Sequence, residues 1–294
     1  MQSPLILDGK KVSARIQAEL LESCRLRTAA GQRPPMLVAV LVGHDGGSET
    51  YVAHKMKACA SVGFDSKVIR LETHVSQDAL LEVVDRLNQD PEVDGYLVQL
   101  PLPPHLDAQV VNLAVDPRKD VDGFHPVNVG RMALGLPCYL PATPSGILDL
   151  LRYYDLKISG MHAVVLGRSS IVGAPVASLL AKAAKPGNCT VTLCHSRTKG
   201  VADYCRQADL LVAALGKPGF VTSDMIKPGA VVIDVGTTRV ADTGKASGWS
   251  LKGDVCYDEV APLCRAITPV PGGVGPMTIA SLLKNTWQAA QTSY

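Results

Sequence analysis

Residues 49–63, ETYVAHKMKACASVG, hold two lysines in a stretch with helical spacing, and an amine is useful as a base only if its proton is easily lost. Wound at about 100° per residue, the stretch puts Lys57 beside His54 and Ser61 on a wet face. Lys55 falls instead between Tyr51 and Val62, with Cys59 and Val52 next along, on the side such a helix buries. A lysine there either snorkels to water or has its pKa pulled down, which is the condition for acid–base work near neutrality.

Other groups could share that chemistry. Tyr51 lies one turn before Lys55, so phenol and amine can meet one ligand, although a core tyrosine with a wet hydroxyl has the same pattern. Gln99 closes the apolar run YLVQL before PLPP, at the strand end where α/β proteins bind ligands or where a loop needs a hydrogen bond. In RKDVDGF, Asp120 and Asp122 precede a glycine; a calcium loop lacks its remaining ligands here, leaving a turn or a carboxylate that grips the N–H edge of a heterocycle.

A second constellation follows. HAVVLGRSSIVGAPVASLLAKA reads as strand, glycine turn and amphipathic helix, the unit that sets a phosphate at a helix N-terminus. Gly167 and Gly173 are six apart, and Ser169 and Ile171 do not complete a G-x-G-x-x-G, so the turn alone is a weak signal. Further on, where an acidic residue would hold an NAD ribose, the chain reads CHSRT. His195, Ser196 and Arg197, with Arg168, suit a 2′-phosphate, and the expected cofactor is NADP.

These groups need elements to carry them. Short β-branched runs alternate with helical ones, which predicts an α/β protein with parallel strands. Strands are expected at 35–43, 66–72 and 94–101, and helices at 9–29, 48–63 and 76–89. The Pro-, Gly- and Asp-rich stretch from LPLPPHLDAQVV to LPATPSG reads as a domain junction. A helix, GILDLLRYYDL, then leads to strands HAVVLG, TVTLCHS, DLLVAAL and AVVIDVG, and TPVPGGVGP turns into a last helix that has no strand after it. That helix is free to pack back on the first domain.

Composition narrows the partners. A chain of 294 residues that is 47% hydrophobic has room for two globular domains. With 29 basic and 27 acidic residues, it lacks the charge that binding to nucleic acid or an anionic membrane calls for. No apolar run approaches the roughly 18 residues of a span, and MQSPLILDGKK does not read as a secretion signal, so a cytoplasmic location is expected. Eight scattered cysteines without a C-x-x-C suggest reduced thiols and no metal site.

The motifs SETYVAHKMKAC, VQLPLP, KDVDGFHPVNVGRM, GRSSIVGAPVASLL, CHSRT and TPVPGGVGPMTIASLLKNT, in this order, resemble the bifunctional methylenetetrahydrofolate dehydrogenase and methenyltetrahydrofolate cyclohydrolase family along nearly the whole chain. The resemblance is to its short, stand-alone form. It implies two α/β domains flanking a cleft, with a folate-binding catalytic domain at 1–122. A Rossmann-type, doubly wound NADP domain would follow at 123–294, its helix from about 277 to 294 returning to the first domain. It also implies folate substrates, a homodimer and a place in one-carbon metabolism that serves purine biosynthesis. Carried over, Lys55 is the catalytic amine, Tyr51 its neighbour on the folate ring, Gln99 the amide that tunes the lysine and Asp122 the grip on the pterin. Leu100, Pro101, Pro271, Gly272 and Gly273 border the folate. Gly167, Arg168, Ser169, Ile171, Gly173, His195, Ser196, Arg197 and Thr237 hold NADP. The chain departs from the family at Ala142 (commonly cysteine), at Thr237 and Thr238 (often isoleucine and asparagine) and in the loop HDGGS. Two other classes fit a substrate domain ahead of a Rossmann domain: a shikimate-type dehydrogenase, which GRSSIVG and TPVPGGVGP disfavour, and a non-enzymatic NADP sensor, which has no need of a buried Lys55.

Overall fold

The computed structural model describes residues 3–245 and 248–291. In chain order the strands are Leu5–Ile6 (β1), Met36–Val42 (β2), Asp65–Leu71 (β3), Gly95–Val98 (β4), His162–Leu166 (β5), Thr190–Cys194 (β6), Leu210–Ala213 (β7), Val231–Asp234 (β8), Thr238–Ala241 (β9), Trp249–Lys252 (β10) and Ala266–Ile267 (β11). The α-helices are Gly9–Ala29 (α1), Gly46–Ser61 (α2), Gln77–Gln89 (α3), Ala108–Ala114 (α4), Pro126–Leu134 (α5), Ala142–Tyr153 (α6), Gly173–Ala181 (α7), Val201–Cys205 (α8), Tyr257–Val260 (α9) and Val274–Gln291 (α10). None of the described helices is long and apolar enough to cross a membrane.

The chain divides into two compact units, Ala14–Ala142 with Ile279–Tyr294, and Met1–Ser13 with Thr143–Thr278. The boundary therefore falls about twenty residues beyond the expected one after Asp122. Packing explains the shift: Tyr139 and Ala142 lie in the same apolar cluster as Leu97 and Val121, and Asn285 Nδ2 donates to the carbonyls of both Val121 and Leu140. Leu282, Leu283, Trp287 and Ala289 of α10 belong to that cluster too, so the end of the last helix is core of the first unit. Positions 292–294 of the expected helix lie outside the described residues.

The first unit is built on a parallel sheet of order β3-β2-β4. Strand β2 is apolar at every position and feeds two cores through its two-residue period. Leu37, Ala39 and Leu41 pack with Leu20 and Cys24 of α1 and Val52, Ala58 and Cys59 of α2. Val38, Val40 and Val42 pack with Leu80, Val83, Val84 and Leu87 of α3. Each such valine or leucine contributes roughly 1.5–3 kcal/mol by leaving water, so a strand that fills both layers is hard to displace. Helix α2 starts two residues before the expected position because Asp45 caps it, accepting from Ser48 N at 2.7 Å. It ends earlier as well, where Gly63 turns the chain at φ 76°. The expected junction holds two short helices, α4 capped by Asp107 and α5 by His125 with Pro126 in its first turn.

The second unit carries a six-stranded parallel sheet of order β1-β11-β8-β7-β5-β6 and an antiparallel hairpin, β9–β10. Residues up to Ser13 join this unit because β1 pairs with β11, Leu5 beside Ala266 and Ile6 beside Ile267. From β5 the chain steps to β6 on one side and then crosses to β7 on the other, so the strand order reverses between β5 and β7. The carboxyl ends of strands at such a reversal are where open α/β sheets take nucleotides.

Candidate active site

In the first unit, Lys55 is 4% exposed while Lys57 is exposed. Lys55 Nζ donates to Gln99 Oε1 at 3.1 Å and stands 5.3 Å from the centre of the Tyr51 ring. Gln99 follows the last residue of β4; its N–H donates to Val40 O, which continues the ladder and aims the side chain off the carboxyl edge of the sheet. Its Nε2 donates to Leu100 O at 2.7 Å, so the amide is oriented with its oxygen toward the lysine. Burial pulls the Lys55 amine below its ordinary value, and Asp122 and then Cys59 pull it back up. Burial also pushes the Cys59 thiol up to about 12, so Cys59 is uncharged at neutral pH and Asp122 is left as the opposing anion.

Asp122 reaches this neighbourhood through its own chain segment. Asp120 forms a parallel bridge with Tyr96 of β4, and Asp122 sits in the turn that follows, closed by Gly123 N donating to Asp120 O at 3.1 Å. The two aspartates have different tasks. Asp120 is 5% exposed and its carboxylate accepts from the N–H groups of Gly123, Phe124 and His125 and from Asn128 Nδ2, which fixes the turn. Asp122 is half-buried and carries the side chain that faces the lysine electrostatically. Leu100 and Pro101 continue directly from Gln99. Tyr51, Lys55, Gln99, Leu100, Pro101 and Asp122 are thus brought together in one unit, whereas Pro271, Gly272 and Gly273 belong to the other. There the Gly272 carbonyl accepts from Gly9 N and Lys10 N, and a Cβ on Gly9 would lie 1.8 Å from Gly273 O.

The second unit holds the expected nucleotide turn. Gly167 has φ 108°, and a Cβ there would lie 2.1 Å from Ala214 O. A Cβ on Gly173 would lie 1.9 Å from Gly167 O, so this glycine lets α7 start hard against the turn. Ser169 Oγ accepts from the N–H groups of Val172 and Gly173, at 3.2 and 3.3 Å, and caps the helix. Ile171 follows within the same turn. After β6, His195 Nδ1 accepts from Arg197 N at 3.1 Å, which curls His195, Ser196 and Arg197 into one loop. Arg168, Ser196 and Arg197 are exposed, and neither arginine has an acidic partner among the described residues. A glycine-lined cradle ahead of α7 and two guanidiniums without acidic partners among the described residues fit a phosphorylated dinucleotide. Thr237 is exposed just before β9, beyond the carboxyl end of β8.

Sequence reading missed two fully enclosed carboxylates in this unit, Asp234 at 3% and Asp254 at 0% exposure. The available signal was the small neighbour: a Cβ on Gly253 would lie 1.9 Å from Asp234 Oδ2. A cavity of 710 Å³ is lined by Asp234, Leu251, Gly253, Cys256, Tyr257 and Val270, among others, and by none of the residues expected to bind ligand. All eight cysteines are free.

Residues 7–122 match the tetrahydrofolate dehydrogenase/cyclohydrolase catalytic domain, and residues 141–294 match the NAD(P)-binding domain of the same family. The chain belongs to the tetrahydrofolate dehydrogenase/cyclohydrolase family. It is 58% identical over 289 residues to the bifunctional protein FolD of Porphyromonas gingivalis, with 98% of each chain covered. Among solved structures of the family it is similar to the bifunctional FolD of Campylobacter jejuni, with a TM-score of 0.92 and 44% identity over 98% of this chain and 99% of that one. It is also similar to the Trypanosoma brucei methylenetetrahydrofolate dehydrogenase-cyclohydrolase, determined with NADP cofactor and an inhibitor, with a TM-score of 0.94 and 42% identity over 99% and 98% of the two chains.

Proposed function

We propose that this chain oxidises 5,10-methylenetetrahydrofolate to 5,10-methenyltetrahydrofolate with NADP⁺ and then hydrolyses the methenyl compound to 10-formyltetrahydrofolate. The observation that carries the reading is the buried Lys55 amine, hydrogen-bonded to the Gln99 amide and beside the Tyr51 ring. The folate is assigned to the unit of residues 14–142, with Asp122 on the pterin edge, Tyr51 along the ring system, and Leu100 and Pro101 bordering it. The unit of residues 143–278 holds NADP, with Gly167, Ser169, Ile171 and Gly173 around the phosphates, His195, Ser196, Arg197 and Arg168 on the 2′-phosphate, and Thr237 on the nicotinamide side. When bound, NADP⁺ supplies a two-electron acceptor for the one-carbon bridge, and the protein's task in that step is alignment.

Hydrolysis makes the larger demand on side chains. Water adds to the methenyl carbon, which bears positive charge shared with two ring nitrogens; one proton must leave the adding water and another must reach the nitrogen that is released. Lys55 is suited to both transfers. Burial lowers the cost of losing its proton, Gln99 Oε1 accepts only one of its N–H bonds, and the Asp122 charge acts against that depression. Tyr51 confines the amine from one side.

The test is ultraviolet absorbance of the protein with 5,10-methylenetetrahydrofolate and NADP⁺, read before and after acid, which destroys NADPH and recloses the formyl product to the absorbing methenyl form. NADPH growth with methenyl signal that appears only after acid is expected. In Lys55→Met, hydrolysis is lost while NADP⁺ binding persists; retained hydrolysis would overturn the assignment of the lysine. A cytoplasmic homodimer joined through the nucleotide units is the proposed assembly, and light scattering of the eluted protein should return twice the 31.1 kDa chain mass.

A further inference from the structure

The buried carboxylates of the second unit form a relay. Asp234, at the end of β8, accepts from Gly236 N at 2.9 Å, from Asp254 N at 2.9 Å and from Val255 N at 3.0 Å. Its own N–H donates to Thr268 Oγ1 at 2.7 Å. Asp254, fixed in this way, directs its carboxylate to the turn that follows β7. Its Oδ2 accepts from Leu215 N at 2.6 Å and Gly216 N at 3.0 Å, and its Oδ1 accepts from Lys217 N at 2.7 Å. Three consecutive backbone donors are therefore satisfied by one side chain that solvent does not reach.

The position of that turn gives the relay its meaning. The sheet order reverses between β5 and β7, so the turn after β5, at Gly167, and the turn after β7, at 214–217, are the two sides of the reversal. They touch, because the place of a Cβ on Gly167 is taken by Ala214 O. A shift of the 214–217 turn would displace the surface on which the phosphate turn rests. We infer that Asp254, seated by Asp234, is a positioning residue for the dinucleotide: it holds the 215–217 turn so that the Gly167 turn keeps the shape that takes the phosphates. The inference rests on the reading of this unit as the NADP site.

Asp254→Asn replaces one acceptor oxygen by an NH₂ that faces backbone donors. The dissociation constant for NADP⁺, measured by titration calorimetry, should rise about tenfold or more. Hydrogen exchange at the amides of Leu215, Gly216 and Lys217 should accelerate. The dehydrogenase KM for NADP⁺ should rise more than kcat falls, and hydrolysis of methenyltetrahydrofolate, which uses no dinucleotide, should persist. Unchanged NADP⁺ affinity in a folded variant with accelerated exchange overturns the inference, and so does a parallel loss of hydrolysis. If Asp254→Asn does not fold, Gly216→Ala decides the matter in the same terms. Gly216 has φ 65° and nothing within 4 Å of the added Cβ, so alanine strains the turn without a clash and leaves Asp254 in place. A wild-type chain that hydrolyses the methenyl substrate but binds no NADP⁺ would overturn the dinucleotide reading itself, and the inference with it.

Discussion

Lys55→Met should leave the fold at least as stable at neutral pH while removing hydrolysis, and the reason can be worked from the surroundings of the amine. Lys55 is 4% exposed, and burial holds its pKa below that of a lysine in the unfolded chain. Between the folded and the unfolded pKa the unfolded state binds more protons, so the wild-type protein gains stability as pH rises through that window and is penalised below it. Against this, the variant leaves Gln99 Oε1 without its donor, at about 1 kcal/mol for a half-buried carbonyl. The methionine protein is the more stable of the two wherever the cost of burying the charge exceeds that loss. Urea unfolding of both proteins at pH 7 and pH 10 measures the difference, and titrations common to both cancel. The gap should favour methionine or vanish at pH 7 and move toward the wild type at pH 10. A variant less stable by more than about 1 kcal/mol at pH 7, with the same deficit at pH 10, would refute the claim that the lysine is held at a cost to the fold.

Arg197→Ser should raise the KM for NADP⁺ about tenfold and leave that for NAD⁺ nearly unchanged, since the guanidinium is assigned to the 2′-phosphate alone; equal effects on both cofactors would remove that assignment. Burial pushes Asp120 and Asp234 up to about 6, above the roughly 4 of an unfolded aspartate, so each binds a proton more readily in the folded state and adds stability as pH falls from about 6 toward 4. Asp120→Asn should roughly halve the slope of unfolding free energy against pH in that interval, and an unaltered slope would show that Asp120 titrates as it does in the unfolded chain.

The parallel strands were legible because their β-branched runs are long relative to any helix alternative and are bounded by glycine, proline or aspartate. Lys55 was legible because a charge on the apolar side of a helix violates the pattern around it. The short helices α4 and α5 were hidden by the proline- and glycine-rich stretch they occupy, with only Asp107 and the His125-Pro126 pair as starting signals. β1 and β11 are two residues each, too short for alternation to register, and half of the residues in the hairpin strands β9 and β10 are polar. Asp234 and Asp254 look like ordinary strand-end and turn residues in the chain. Their importance comes from donors supplied across the fold, as far as 39 residues away for Leu215 and Asp254. The compact unit runs past 122, where the match to the catalytic domain ends, for a related reason: composition marks where the chain changes texture, whereas Tyr139, Ala142 and Asn285 decide which side of the change it packs against.

The pairing of Leu5 with Ala266 sets the order in which a ribosome can deliver a finished molecule. The strand at Leu5 finds its neighbour only after residues up to Ile267 have emerged, and the first unit waits still longer for Leu282, Leu283 and Trp287. Throughout synthesis the edge of β11's future sheet and the apolar face beneath α10 stay open, and such surfaces bind other chains readily. Each unit thus closes on a segment far from its start: the β1 edge on Ala266 and Ile267, the first unit's core on Leu282, Leu283 and Trp287.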